Sequence, residues 1–214
     1  MATRTDTHAF QGPAGAIDCA LDWPDASPRG WALLLHPHPL FGGARDNKVV
    51  TTLARACVQA GLVAIRPDFR GVGASGGQYD EGRGETDDML QLIPQVLARH
   101  PELAAGDFVL GGFSFGTAVA SQVHARRQAS HEPDPAAMLM IGTAAERFAV
   151  ASVPAHTLVV HGEADDTVSL QSVFDWARPQ ELPVVVMPGA EHFFHGKLVG
   201  LKTLVSEHLA LRLG

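Results

Sequence analysis

Val109-Leu110-Gly111-Gly112-Phe113-Ser114-Phe115-Gly116 is an apolar run that closes in G-x-S-x-G and passes into Thr117-Ala118-Val119-Ala120, which reads as helix. The pattern predicts a strand, a sharp turn at Ser114 and a helix, the arrangement that lifts a serine hydroxyl above the edge of a sheet. A side chain held at such a turn sits on strained backbone, and neighbouring chain passes so close that glycine is the residue that fits at 112 and 116. The helix that follows aims its first N–H groups and the positive end of its dipole at the same point. A chain with 22 glycines can also produce G-x-S-x-G as an ordinary turn. The reading therefore depends on whether an acid and a histidine follow, in that order, each just past a strand.

Working outward, the short apolar run 31–35 reads as a strand buried on both faces of a parallel sheet, and 62–65, 137–141, 157–160 and 182–187 read as further strands. The alternating stretch 16–23 reads as an early antiparallel edge strand. Helices are expected over 46–60, capped by Asp46 and buried through Val49, Val50, Leu53, Ala56 and Cys57, and over 117–127. Two more are expected: one opened by Glu85, Asp87 and Asp88, and a last one with Leu198, Leu201, Leu204, Val205, His208 and Leu209 on one side. Pro94 should kink the first of these or delay its start. Only residues 142–155 separate the strands at 137–141 and 157–160, too few for more than a turn or short helix.

Past the strand at 157–160 stand Glu163, Asp165 and Asp166, any of which is placed to serve as an acid, and past 182–187 stand His192 and His195. His192 lies in the loop proper and His195 at a helix start, so His192 is the better general base. The loop 36–43, His-Pro-His-Pro-Leu-Phe-Gly-Gly, follows the strand at 31–35; if the G-x-S-x-G serine is a hydrolytic nucleophile, a loop in this position is expected to donate the second oxyanion N–H. Proline has no N–H, which leaves His38, with Leu40 in reserve, beside the N–H of Phe115. Phe41, Phe193 and Phe194 are candidates for a substrate pocket, as against plain core packing. The histidines at 36, 38, 161, 192 and 195 also raise zinc binding, but no H-E-x-x-H or cysteine pair accompanies them, so no metal is assigned. Asp68 and Arg70, in a glycine-dense loop, read as local braces before substrate contacts.

Composition narrows the rest. The 214 residues suit one domain, 1–214, with 46% hydrophobic and 18% charged residues. Sixteen Lys and Arg against 23 Asp and Glu give 16 − 23 = −7, which offers no general attraction to nucleic acid or anionic membrane. The two cysteines, Cys19 and Cys57, sit in apolar contexts and read as reduced thiols. Residues 1–11 lack a secretory core and no window is apolar enough to span a membrane, so a cytoplasmic protein is expected.

With these pieces in order, the sequence resembles the α/β-hydrolase superfamily, and more narrowly the small, lid-less bacterial hydrolases related to dienelactone hydrolases and carboxylesterases. The resemblance is carried by Leu35-His36-Pro37-His38-Pro39-Leu40-Phe41-Gly42-Gly43, Asp46-Asn47-Lys48-Val49-Val50, Asp68-Phe69-Arg70-Gly71-Val72-Gly73, Gly112-Phe113-Ser114-Phe115-Gly116, His161-Gly162-Glu163-Ala164-Asp165 and Gly189-Ala190-Glu191-His192-Phe193-Phe194. It implies a mostly parallel twisted sheet of about seven to eight strands with helices on both faces and no cap domain. It also implies Asp165 as the acid and His192 as the base. Dienelactone hydrolases carry cysteine at the elbow and this chain has Ser114, which turns the expectation toward a serine esterase acting on a small-molecule ester without a cofactor. A thioesterase or peptidase using the same residues, and a non-catalytic binding module on the same scaffold, are the competing readings.

Overall fold

The computed structural model describes residues 4–214. Eight strands form one sheet in the order β1-β2-β4-β3-β5-β6-β7-β8. They are β1 (Arg4–Gly12), β2 (Gly15–Trp23), β3 (Gly30–Leu35), β4 (Leu62–Pro67), β5 (Asp107–Phe113), β6 (Ala137–Ile141), β7 (Leu158–Gly162) and β8 (Val184–Met187). β1 pairs antiparallel with β2 and β2 with β4, while every pair from β4 through β8 is parallel. Parallel strands covered on both faces should be apolar throughout, and β3, β4 and β6 are buried at every position.

Alternate residues of these strands feed two cores. On one face Trp31, Leu33, Leu35, Met138 and Met140 pack under α2 (Arg83–Arg99), α3 (Phe115–Ala129) and α4 (Leu170–Ala177); on the other Ala32, Leu34, Leu139 and Ile141 pack under α1 (Lys48–Gln59) and α5 (Leu198–Leu213). All five core positions anticipated on α1 are buried. Residues 142–157 carry no helix and no inserted cap. Among the described residues no helix is long and apolar enough to cross a membrane.

Several boundaries differ from the sequence reading, each for a local reason. The outer strand is β1, not 16–23, which lies second in the sheet. β1 is polar and largely exposed up to Phe10, as suits an edge that only one neighbour covers. The cap of α1 is Asn47, whose Oδ1 accepts the Val49 N–H at 2.9 Å, because Asp46 is drawn aside to pair with Arg66 at 2.9 Å. α2 continues through Pro94 instead of starting late. Its entry is fixed by Glu85, which accepts the N–H groups of Asp80 and Gly82, each at 2.9 Å.

Candidate active site

Strand β5 ends at Phe113 and α3 begins at Phe115, so Ser114 alone makes the turn, at φ 53° and ψ −122°. A positive φ on a residue with a Cβ is strained, and two close approaches hold it there. A Cβ on Gly112 would stand 2.3 Å from the carbonyl of Gly116, and one on Gly116 would stand 2.3 Å from the carbonyl oxygen of Leu35. The Ser114 N–H donates to Ile141 O at 2.9 Å, tying the turn to β6. The hydroxyl is thereby carried on the sheet itself and not on a free loop.

Loops at the carboxyl ends of β7 and β8 bring the other two groups to it. His192 Nε2 is 2.9 Å from Ser114 Oγ, and His192 Nδ1 is 2.7 Å from Asp165 Oδ2. The other carboxylate oxygen, Oδ1, accepts the N–H groups of Thr167 at 2.9 Å and Val168 at 2.8 Å. Burial works to raise the Asp165 carboxyl, but the hydrogen bonds from His192, Val168 and Thr167 together outweigh it and hold the group below its ordinary value. An ionised Asp165 is an acceptor only, so His192 carries a proton on Nδ1, and the neutral ring in that tautomer turns a bare Nε2 toward the serine. That is a hydroxyl with a base in contact and an acid orienting the base, the arrangement that activates a nucleophile. The rival groups point elsewhere: Glu163 accepts the Gly189 N–H at 2.8 Å, Asp166 is exposed on the cleft wall, and His195 pairs with Glu191 in the outer turn.

A cleft of about 460 Å³ opens over Ser114, walled by His38, Phe41, Phe148, Phe193 and His192, with Arg147 and Asp166 as the charged groups on its lining. His38 is held in one tautomer. Its Nδ1 accepts the Leu40 N–H at 3.2 Å and its Nε2 meets the Tyr79 hydroxyl at 3.1 Å. Burial first, and then the charge of Arg147, lower its pKa and favour the neutral ring.

Comparison with known proteins finds relatives that match this chain over nearly its whole length. A solved α/β serine hydrolase without a lid from Xanthomonas campestris is 34% identical, superposes with a TM-score of 0.89, and is matched over 100% of this chain and 97% of its own. A Coxiella burnetii serine hydrolase homologue is 33% identical with a TM-score of 0.81, covering 98% of each chain. An uncharacterized protein of Rickettsia prowazekii is 30% identical over 213 residues, 94% of this chain and 87% of that one. No protein-family model matches. The chain belongs to the lid-less α/β serine hydrolases. It is an enzyme of the hydrolase type.

Two site expectations need correction in this hydrolase. Phe194 does not reach the cleft: it is 0% exposed and packs in the core with Ala190, Leu201 and Val205, because the chain turns at φ 55° there and drives the ring under the sheet. Leu40 is a poor oxyanion donor, since its N–H is already given to His38 Nδ1. Phe41 and Phe193 do line the cleft, 80% and 43% exposed. The sequence reading missed Ala144, Arg147 and Phe148, which come from the capless segment between β6 and β7, and Asn47, Thr167 and Val168 from flanking turns. Asn47 stands in the stretch 46–50 that carries the resemblance; the others are marked only by position relative to Ser114.

Asp68 and Arg70 prove to be braces. Asp68 Oδ1 accepts the Arg45 N–H at 2.8 Å, and Arg70 grips Asp88 with two hydrogen bonds of 2.7 and 2.8 Å. Among the described residues no group of three or more His, Cys, Asp or Glu is placed to hold a metal. His36 illustrates the alternative use of an imidazole. Fully buried, it donates from Nδ1 to Pro37 O at 2.6 Å and accepts the Phe69 N–H on Nε2 at 2.9 Å, stapling the β3 loop to the β4 loop. Burial pushes its pKa down to about 4 from an ordinary 6.5. Between those values the unfolded ring is protonated and the folded one is not, so stability present above pH 6.5 is lost as pH falls, by about 3 kcal/mol in all. His36→Gln should flatten the acid side of a melting-temperature profile between pH 6.5 and 4. An unchanged slope would show that His36 does not govern it.

Proposed function

We propose that this hydrolase cleaves small carboxylic esters through an acyl-enzyme on Ser114. The reading is carried by one observation, the continuous hydrogen-bonded chain from Ser114 Oγ through His192 to Asp165, with links of 2.9 and 2.7 Å. His192 takes the hydroxyl proton as Oγ attacks the carbonyl carbon and then passes it to the departing alcohol. A water, deprotonated by the same nitrogen, releases the acid and restores the serine. The N–H of Phe115, at the start of α3, and that of His38 hold the oxyanion. No cofactor takes part. Unpaired, buried Cys19 and Cys57 fit a reducing compartment such as the cytoplasm.

The uncapped cleft, with its walls of Phe41, Phe148 and Phe193, favours a short acyl or aryl group that needs no lid to shield it from water. A panel of p-nitrophenyl esters of increasing chain length, acyl thioesters and aminoacyl amides tests the reading. The expected order is short ester first, with kcat/KM falling as the acyl chain outgrows the cleft, and amides last. A preference for amides or thioesters would replace the substrate class. Absence of labelling by a fluorophosphonate would replace catalysis with binding.

A further inference from the structure

We propose that His161 is a positioning residue for the acid of the triad, its ring N–H anchoring the turn that cups the Asp165 carboxylate; the inference rests on the catalytic reading above. His161 is the fourth residue of β7, where the ladder with β8 sets it against Val186, and its side chain is wholly buried. Its Nε2 lies 2.9 Å from Val168 O and 3.3 Å from Asp165 Oδ2. Both are acceptors, so Nε2 bears the proton and donates it to Val168 O. Nδ1 is buried and has no hydrogen-bond partner among the described residues. A charged ring would strand a buried N–H at Nδ1, and burial accordingly lowers the pKa of this histidine despite the carboxylate beside it. The neutral ring strands a lone pair there instead. If the fold required only bulk at 161, leucine would fill the space and leave no orphaned acceptor. What the imidazole adds is one N–H directed at Val168.

That N–H matters because of what Val168 does next. The backbone of 167 and 168 supplies both donors to Asp165 Oδ1, leaving Oδ2 for His192 at 2.7 Å. His161 ties the carbonyl end of the same turn to a strand of the sheet, and sets the positive edge of its ring against Oδ2. Removing the tie frees the turn to shift the carboxylate and misalign His192. Asp165 is not in the cleft lining, so the loss should fall on kcat and spare KM.

The test uses the full chain, a short-chain p-nitrophenyl ester and active-site titration with a fluorophosphonate. His161→Leu fills the space without an N–H, His161→Asn places an amide at the Nδ1 position, and His161→Gln extends an amide N–H to the Nε2 position. Per titrated site, kcat should fall about ten- to a hundredfold in the Leu and Asn variants with KM within about twofold, and His161→Gln should recover to within about threefold of wild type. Should the leucine variant fail to fold, the asparagine variant carries the same comparison. A kcat per titrated site within twofold of wild type in the variants lacking the N–H, or a glutamine variant as damaged as they are, would overturn the role of His161 and leave the hydrolytic reading standing. A wild-type chain that neither labels nor turns over would overturn both.

Discussion

Ser114→Ala should reduce turnover of a short-chain ester about a million-fold, to the level that binding and oxyanion donors supply without a nucleophile. The hydroxyl is the only group removed, and among the side chains of the described residues it is bonded to His192 alone. Melting temperature should stay close to that of the parent, since the turn is held by Gly112, Gly116 and the Ser114 N–H and not by Oγ. Ser114→Gly separates the two roles of the position. It should be equally inactive yet more stable than the alanine variant by about 1 kcal/mol, because glycine tolerates the φ of 53° that alanine resists. Circular dichroism melts and a chromogenic assay on the three proteins decide the matter. Substantial turnover by a folded Ser114→Ala protein would remove Ser114 from the chemistry.

How much of this was visible in the sequence follows from where the physics is local. The elbow was legible because a strained turn pressed against neighbouring backbone admits few residues, and its glycines are forced by contacts of 2.3 Å. The buried strands were legible because two covered faces demand apolar residues in unbroken runs. By contrast α4, from Leu170 to Ala177, escaped notice although Ser169 caps it, through a side-chain oxygen that accepts the Ser172 N–H at 3.3 Å. It is eight residues long and follows a polar turn, too short for a helical period to stand out. β1 escaped because an exposed edge carries little hydrophobic pattern, and its existence depends on pairing with β2. In the sequence the choice among Glu163, Asp165 and Asp166 is closed by resemblance and not by spacing. In the structure it is a matter of orientation, and of the three only Asp165 bonds His192. Likewise the separate fates of Phe193 and Phe194, adjacent rings of the same type, turn on a single positive φ. Composition does not encode that.

Asp165→Asn should cost about ten-thousandfold in kcat, and the surroundings of the carboxylate say why so small a change does so much. An asparagine has one acceptor oxygen and one NH2 group, and must choose which of the two carboxylate positions each will take. The Oδ1 position faces two backbone donors, the N–H groups of Thr167 and Val168 at 2.9 and 2.8 Å, which no side-chain rotation can move. The amide oxygen is therefore fixed there, since an NH2 in its place would confront two N–H groups. The NH2 falls at the Oδ2 position and points at His192 Nδ1. That nitrogen must then accept, the ring proton moves to Nε2, and the base presents an N–H to Ser114 Oγ where it should present a lone pair. The same NH2 also meets the ring N–H of His161, 3.3 Å from the oxygen it replaces, so the variant should be less stable as well as inactive. Asp165→Ala forces no tautomer and should be the less damaged of the two, the reverse of what similarity of shape would suggest. Steady-state rates at pH 7.5 with fluorophosphonate labelling rates for both variants make the comparison. An asparagine variant within tenfold of wild type, or clearly faster than the alanine variant, would mean that the two backbone donors do not dictate the amide's orientation.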